Sequence, residues 1–462
     1  MSAHIEFDWD LIRRYDSRGP RYTSYPTALQ FTEAFTASHY REQVRQSNHA
    51  ARPRPLSVYI HIPFCEHLCF YCACNKVATR NRARAARYLE SLLREIDLKA
   101  RLFDSDRRIE QMHFGGGTPT FLDAGQLSSI LGKLKGRFDF ADDSVGDYSI
   151  EIDPRTVDSA DMQVLRALGF NRVSLGVQDF DKDVQRAVHR LQSREQTLGI
   201  LEASRDAGFH SVNVDLIYGL PKQSLSSMRQ TLDQVLDAAP DRIALFNYAH
   251  LPDRFPAQRR IRNEDLPDAG QKLDILRSSV DAITGAGYVY IGMDHFALPG
   301  DALARAKSDG TLHRSFQGYT THAHCELIDL GVSSIGRVGR CISQNVHGIE
   351  DYQECVDDGR LPIVRGIVLG DDDLLRADVI DRLMCIGSLD LPPVEREHGI
   401  VFWEYFAPER DALKTFEDDG LVRATRDRIE LTARGWMLVR NICAVFDRYL
   451  NVHRQERFSR TI

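Results

Sequence analysis

Nowhere does the chain string together the ~18 apolar residues that a membrane-crossing helix needs, so no membrane span is expected. The opening MSAHIEFDWDLIRRYD is acidic and has no apolar run, so it is not expected to be a signal or transit peptide. An excess of basic charge is also missing. The formal net charge of −7 gives no general reason to expect nucleic acid as a partner. Internal repeats and low-complexity segments are absent. So is a disulfide framework: of nine cysteines, five (Cys325, Cys341, Cys355, Cys385 and Cys443) are scattered singly. A reducing, cytoplasmic setting is therefore expected, in which thiols serve as metal ligands. What is present is 462 residues, 43% of them hydrophobic, enough for a large core and roughly two to three domains.

From residue 57 short β-branched runs alternate with helical patterns. The runs are SVYIHI (57–62), EQMHFGGG (110–117), DYSIEIDP (147–154), NRVSLGVQ (171–178), SVNVDLIYGLP (211–221) and RIALFNYAH (242–250), and YVYIGMDHF (288–296) reads as a seventh strand. Repeated βα units imply a parallel sheet. Strands covered on both faces are usually apolar throughout, but several of these alternate. Ser149, Glu151 and Asp153 oppose Tyr148, Ile150 and Ile152; Ser174, Gly176 and Gln178 oppose Val173, Leu175 and Val177; Asn213 and Asp215 oppose Val212, Val214 and Leu216. One face packs on helices, and the other lines something wet or occupied. The expected fold is α/β, a partial (β/α) barrel of parallel strands whose polar residues crowd toward strand C-terminal ends, where barrel active sites sit. Residues 1–52 read as a polar, irregular N-terminal arm, 53–365 as the barrel, and 366–462 as a mainly helical C-terminal domain with a hairpin, winged-helix-like but without a long basic stripe.

The densest chemistry lies in HIPFCEHLCFYCACNK (61–76), where Cys65, Cys69, Cys72 and Cys74 are spaced C-x3-C-x2-C-x-C. Four thiolates can close a tetrahedral zinc. Structural zinc sites, however, usually clamp two separated ligand pairs, and here all four thiols share one loop. One loop can wrap an iron–sulfur cluster, whose irons are several ångströms apart. The residues alone favour a cluster and leave zinc open. A second motif, GGGTPT (115–120), follows a strand and leads toward a helix, a place where backbone approaches a charged ligand closely.

C-x3-C-x2-C after the first strand, with a glycine-rich turn after the second, resembles the radical S-adenosylmethionine superfamily. Within it, PRYTSYPTA, CNKVATR, GVQDF, NVDLIYGLPKQ, FNYAHLP, GMDHFA and FQGYTT resemble the oxygen-independent coproporphyrinogen III oxidases. The resemblance implies one 4Fe–4S cluster held by Cys65, Cys69 and Cys72, with the fourth iron open to S-adenosylmethionine. It implies two S-adenosylmethionine molecules. Tyr59, Gly116, Glu151 and Ile335 match positions around the first; Tyr71, Gly117, Thr118, Gln178, Arg190, Asp215 and Ala249 match the second. Cys74 does not ligate the cluster in that family, and its role, catalytic or structural, stays open.

The implied reaction is oxidative decarboxylation, by a 5′-deoxyadenosyl radical, of two propionates of coproporphyrinogen III to vinyls. The product is protoporphyrinogen IX, in haem biosynthesis. An unidentified low-potential electron donor is needed, and a monomer is the default. Arg21, Tyr22 and Arg314 are candidates for the substrate carboxylates, and the N-terminal arm is a candidate lid. The nearest alternative is a haem chaperone of the same superfamily; the C-x-C thiol and the PRYTSYP arm favour the oxidase. THAHC, with His322, His324 and Cys325, imitates a metal site, but the sequence shows no further ligand nearby.

Overall fold

The alternating runs become strands, and the helical patterns between them start at side chains that can accept from their own first turn. The computed structural model describes residues 5–17 and 19–450. Strand β1 (Leu56–Ile62) is followed by β2 (Arg108–Gly116), β3 (Asp147–Ile152), β4 (Arg172–Gln178), β5 (Ser211–Tyr218) and β6 (Arg242–Asn247). Between them run helices α1 (Arg82–Ala100), α2 (Ala124–Lys135), α3 (Ser159–Leu168), α4 (Lys182–Ala187), α5 (Arg194–Asp206) and α6 (Leu225–Ala238). Asn81, Asp123, Asp158, Asp181, Ser193 and Ser224 cap their N-termini. Each such cap satisfies otherwise orphaned N–H groups and is worth about 1 kcal/mol.

The strands pair in parallel in the order β6-β5-β4-β3-β2-β1, and β1 pairs in parallel on its other side with β7 (Glu326–Leu330). β8 (Ile335–Val338), β9 (Cys341–Asn345) and β10 (Ile363–Val368) then add antiparallel. The expected strand at 288–296 is instead a hairpin, Val289–Gly292 against His295–Ala297. Positive φ at Gly292 and Met293 turns the chain back there. The strand beside β1 comes from ELIDL, which no alternation announced.

The polar/apolar alternation is confirmed. In β3 and β4 every second residue is buried, and the polar set between is half-buried. On α1, Ala85, Tyr88, Leu92, Ile96 and Lys99 fall on one buried face. That face carries a charged knot. Lys99 Nζ lies 2.9 Å from Asp329 Oδ1 on β7 and 3.1 Å from Glu95 Oε1. Glu95 accepts from Gly331 N–H, Asn345 Nδ2 and the Tyr352 hydroxyl.

By internal contacts the chain divides into two compact units, Thr32–Gly287 with His324–Val368, and Met1–Phe31 with Tyr288–Ala323 and Leu369–Ile462. The arm is less irregular than expected: Trp9–Tyr15 and Ala37–Asn48 are helices, and Tyr40 and Val44 of the second are buried. In the second unit a three-stranded sheet (Ser388–Asp390, Val422–Ala424 and Arg428–Leu431) packs with helices Asp371–Ile386, Leu391–His398 and Ala407–Asp418.

Candidate active site

The cysteine loop leaves the C-terminal end of β1 and is pinned from three sides. Phe64 and Cys65 pair with Val77 and Ala78 in a short parallel ladder. Phe70 N–H donates to Val188 O, and its ring stacks on His189 at 4.9 Å. Phe70 and Tyr71 rest on an apolar cluster that includes Val184, Leu220 and Tyr248. Gln258, fully buried, donates to both Tyr71 O (3.0 Å) and Ala249 O (3.2 Å), tying the loop to the segment after β6.

The glycine turn after β2 is shaped by the same loop. Gly117 N–H donates to Ile62 O and Thr118 N–H to Phe64 O, both at 2.8 Å. A Cβ on Gly117 would lie 2.7 Å from Phe64 O. Gly116 has φ +113°, and a Cβ there would strike the His61 ring. Its N–H donates to Glu151 Oε2 at 3.1 Å. The backbone donors of this turn are thus spent inside the protein, while the Thr118 hydroxyl reaches Cys65 Sγ at 3.5 Å.

The thiols sit in electropositive surroundings. Arg190 Nη1 lies 3.6 Å and Arg155 Nη2 3.7 Å from Cys69 Sγ. Both guanidinium groups grip Asp153, at 3.2 Å from Arg190 Nη1 and 2.6 Å from Arg155 Nη2. Burial alone would raise the Asp153 carboxyl, but the two arginines hold it down at about 2. Arg190 is 6% exposed and also donates to Gly176 O, so it is no solvated surface arginine. A Cβ on Gly176 would collide with it. A hydrogen bond shared with Cys74, and Lys76 nearby, push the Cys72 thiol down to about 6; the same bond pushes Cys74 up. Burial pushes Cys65 up to about 11. Among the described residues, two sets of three donors have all their ligand atoms within 4.8 Å of one another, Glu110–His324–Cys325 and Asp378–Glu397–His398. The cysteine loop is not such a set. Clustered thiolates from one loop are the donor set that holds an iron–sulfur cluster, and Cys65, Cys69 and Cys72 would hold one here.

The half-buried polar face lies beside this loop. Glu151 keeps 42% of its side-chain exposure although it sits in the middle of the sheet, as expected of a residue facing a lumen. His113 Nε2 lies 3.1 Å from its Oε1, and His113 Nδ1 lies 2.6 Å from Ser149 Oγ. Burial opposes the Glu151 charge, but His113 and the Gly116 N–H outweigh it and hold the carboxyl below its ordinary value. Tyr59 stacks on His113 at 5.8 Å, and its hydroxyl reaches His61. Asp215 accepts from Ser174 Oγ (3.0 Å) and Asn213 Nδ2 (2.8 Å). Burial and the Glu151 charge nonetheless raise it to about 6. Gln178 adopts φ +69° at a β4 bulge.

The structure therefore brings together Tyr59, Gly116, Gly117, Thr118, Glu151, Gln178, Arg190 and Asp215 at the ends of β1 to β5. Tyr71 and Ala249 are joined through Gln258. Ile335 opens β8, paired with Gln344. His113, Arg155 and Gln258 were not singled out from sequence. His113 and Arg155 carried a signal, being two and four residues from Gly115 and Glu151; Gln258 carried none.

The substrate candidates lie in the other unit. Arg21 pairs with Asp294 in the 292–295 turn. Tyr22, 4% exposed, donates to Asp447 Oδ2 at 3.1 Å. Arg314 lies over the Tyr319 ring at 4.8 Å, and among the described residues its buried Nε and Nη1 find no hydrogen-bond partner.

A mostly parallel sheet with a C-x3-C-x2-C loop at the C-terminal end of its first strand defines a radical S-adenosylmethionine enzyme, and residues 59–235 match the family model described as "Radical SAM superfamily". Residues 369–438 match a second model, "HemN C-terminal domain". The oxygen-independent coproporphyrinogen III oxidase of Pseudomonas aeruginosa is 52% identical over the whole of both chains. That of Escherichia coli K12 is 46% identical over 99% of each. The solved coproporphyrinogen III oxidase of Escherichia coli superposes with a TM-score of 0.91 at 45% identity, covering 97% of this chain and 100% of its own. The chain belongs to the family of oxygen-independent coproporphyrinogen III oxidases.

Proposed function

We propose that the chain converts two propionates of coproporphyrinogen III to vinyl groups without oxygen, giving protoporphyrinogen IX for haem biosynthesis. The observation that carries this reading is the thiol loop set beside a polar, half-open strand face, in a chain that matches oxidases of that name from end to end. Cys65, Cys69 and Cys72 would hold a 4Fe–4S cluster, and the strand ends would hold S-adenosylmethionine. When bound, the two supply a 5′-deoxyadenosyl radical able to take a β-hydrogen from a propionate.

The chain's own part is to bind, orient and exclude competing partners. Arg155 and Arg190 place positive charge on the Cys69 sulfur, while Lys76 serves Cys72 and the Thr118 hydroxyl serves Cys65. Glu151, aimed by His113 and the Gly116 N–H, presents a charged carboxylate to cofactor hydroxyl or ammonium groups.

The finer reading is two cofactor molecules. Tyr59, Gly116, Glu151 and Ile335 attend the first; Tyr71, Gly117, Thr118, Gln178, Arg190, Asp215 and Ala249 attend the second. Two propionates need two oxidations, which supports it. Of the substrate candidates Arg314 is favoured, because Arg21 and Tyr22 already meet Asp294 and Asp447. The arm 1–52 serves as a lid, 53–365 is the barrel, and 366–462 is a mainly helical C-terminal domain that shares a compact unit with part of the arm. The protein works as a cytoplasmic monomer supplied by a low-potential donor.

Anaerobic incubation of the iron-loaded protein with coproporphyrinogen III, S-adenosylmethionine and a reductant tests the proposal. Protoporphyrinogen and methionine are expected. A preparation carrying four irons that cleaves S-adenosylmethionine yet leaves the porphyrinogen unchanged overturns it.

A further inference from the structure

The THAHC motif finds its missing ligand in the fold. His324 and Cys325 lie just before β7, and Glu110 lies near the start of β2; these two strands flank β1. The β1–β2 register runs Leu56↔Ile109 and then Ser57↔Gln111, so Glu110 is the extra residue of a bulge. A bulge re-aims the side chain it carries. Here it brings the Glu110 carboxylate over the start of β1, with Oε2 2.7 Å from His324 Nε2. Cys325 Sγ completes the group, all three ligand atoms falling within 4.8 Å of one another.

We propose that Glu110, His324 and Cys325 form a second metal site, for a borderline divalent cation of the zinc class, separate from the cysteine loop. The donor set decides the class. An imidazole nitrogen, a thiolate and one carboxylate suit zinc or its transition-metal neighbours and not magnesium or calcium, which take oxygen. Three protein donors leave a fourth tetrahedral position for water. Binding releases the Cys325 thiol proton to solvent.

The other compact trio differs in a telling way. Arg382 Nε already lies 2.7 Å from Asp378 Oδ1, and its Nη2 3.6 Å from Glu397 Oε2, so a cation is in place. Arg107, whose charge reaches Cys325, is instead committed to Glu326 and the Arg54 carbonyl. The site sits at the N-terminal end of β1. The cysteine loop leaves the other end, about 20 Å away at ~3.3 Å per residue. A cation here ties β2 to β7 across β1, the strand that carries the loop.

The test is zinc titration of the iron-loaded protein against a competing chelator, together with cobalt substitution read as a difference spectrum. Wild type is expected to bind one zinc that Cys325→Ser, His324→Gln and Glu110→Gln each weaken by about tenfold or more. Its cobalt form should show a thiolate-to-metal charge-transfer band that Cys325→Ser abolishes. Iron content and turnover should stay at wild-type values in all three. Equal zinc affinity in wild type and the variants, or a cobalt spectrum indifferent to Cys325, overturns the site. Should Cys325→Ser fail to fold, His324→Gln at its exposed position decides by affinity alone. None of the three residues lies in the barrel site, so this outcome is independent of the proposed reaction.

Discussion

At the residue scale, the site is governed by which charge faces which. Among the described residues, Cys69 is the loop thiol gripped by guanidinium groups, Arg190 and Arg155. Hydrogen bonds and positive charge on a ligand sulfur raise a cluster's reduction potential. Arg155→Gln should therefore make the cluster harder to reduce, read as a more negative midpoint in a potentiometric titration, with iron content unchanged; Arg155→Lys should recover part of the shift. Asp215 sets a pH dependence. Its carboxyl is raised to about 6, so the folded protein holds that proton between roughly pH 4 and 6, where the unfolded chain has already released it. Stability from this group is thus full below pH 4 and lost as pH rises toward 6, and Asp215→Asn should flatten that slope in urea denaturation curves. The charged carboxylate is available to a ligand only above about pH 6. Equilibrium binding should find two S-adenosylmethionine per protein at pH 7.5, and one in Asp215→Asn at any pH. Two equivalents in the variant would remove Asp215 from the second site. Cys65, Cys69, Cys72, Glu151 and Asp215 stand out as candidates from spacing and strand period. Gln258 does not, and Arg155 is signalled only by its place four residues after Glu151, because their contacts with Tyr71 and Cys69 span 187 and 86 positions of chain.

At the scale of elements, period-two alternation predicted the strands of the barrel because one face meets helices and the other a lumen. It failed where that condition fails. β7 is buried on all five residues, so it offers no alternation to read. The 288–296 run has strand-like residues, yet Gly292 and Met293 adopt positive φ and fold it into a hairpin. The join between α1 and β7 rests on the buried Lys99–Asp329–Glu95 knot, where burial raises Asp329 despite the lysine. Lys99→Met would leave two carboxylates buried without their cation. A loss of about 3–5 kcal/mol in unfolding free energy is expected. Chemical denaturation measures it, and a change under about 1 kcal/mol would show the knot to be dispensable.

At the scale of the whole molecule, residues 5–31 belong to the same compact unit as the C-terminal region, where Arg440 donates to Pro20 O and Asn441 to Tyr15 O. If the arm also covers the site, deleting residues 1–30 should lower turnover and leave cluster iron in place; unchanged turnover would end that role. The sequence by itself determined the thiol-loop motif and the succession of βα units, because loop spacing and residue period are local properties, carried by neighbours within a few positions. Only the tertiary structure decided which strand lies beside β1, which arginines face Cys69, and that a bulged glutamate meets THAHC. Those depend on register and on distant segments packing together, and no local pattern encodes them.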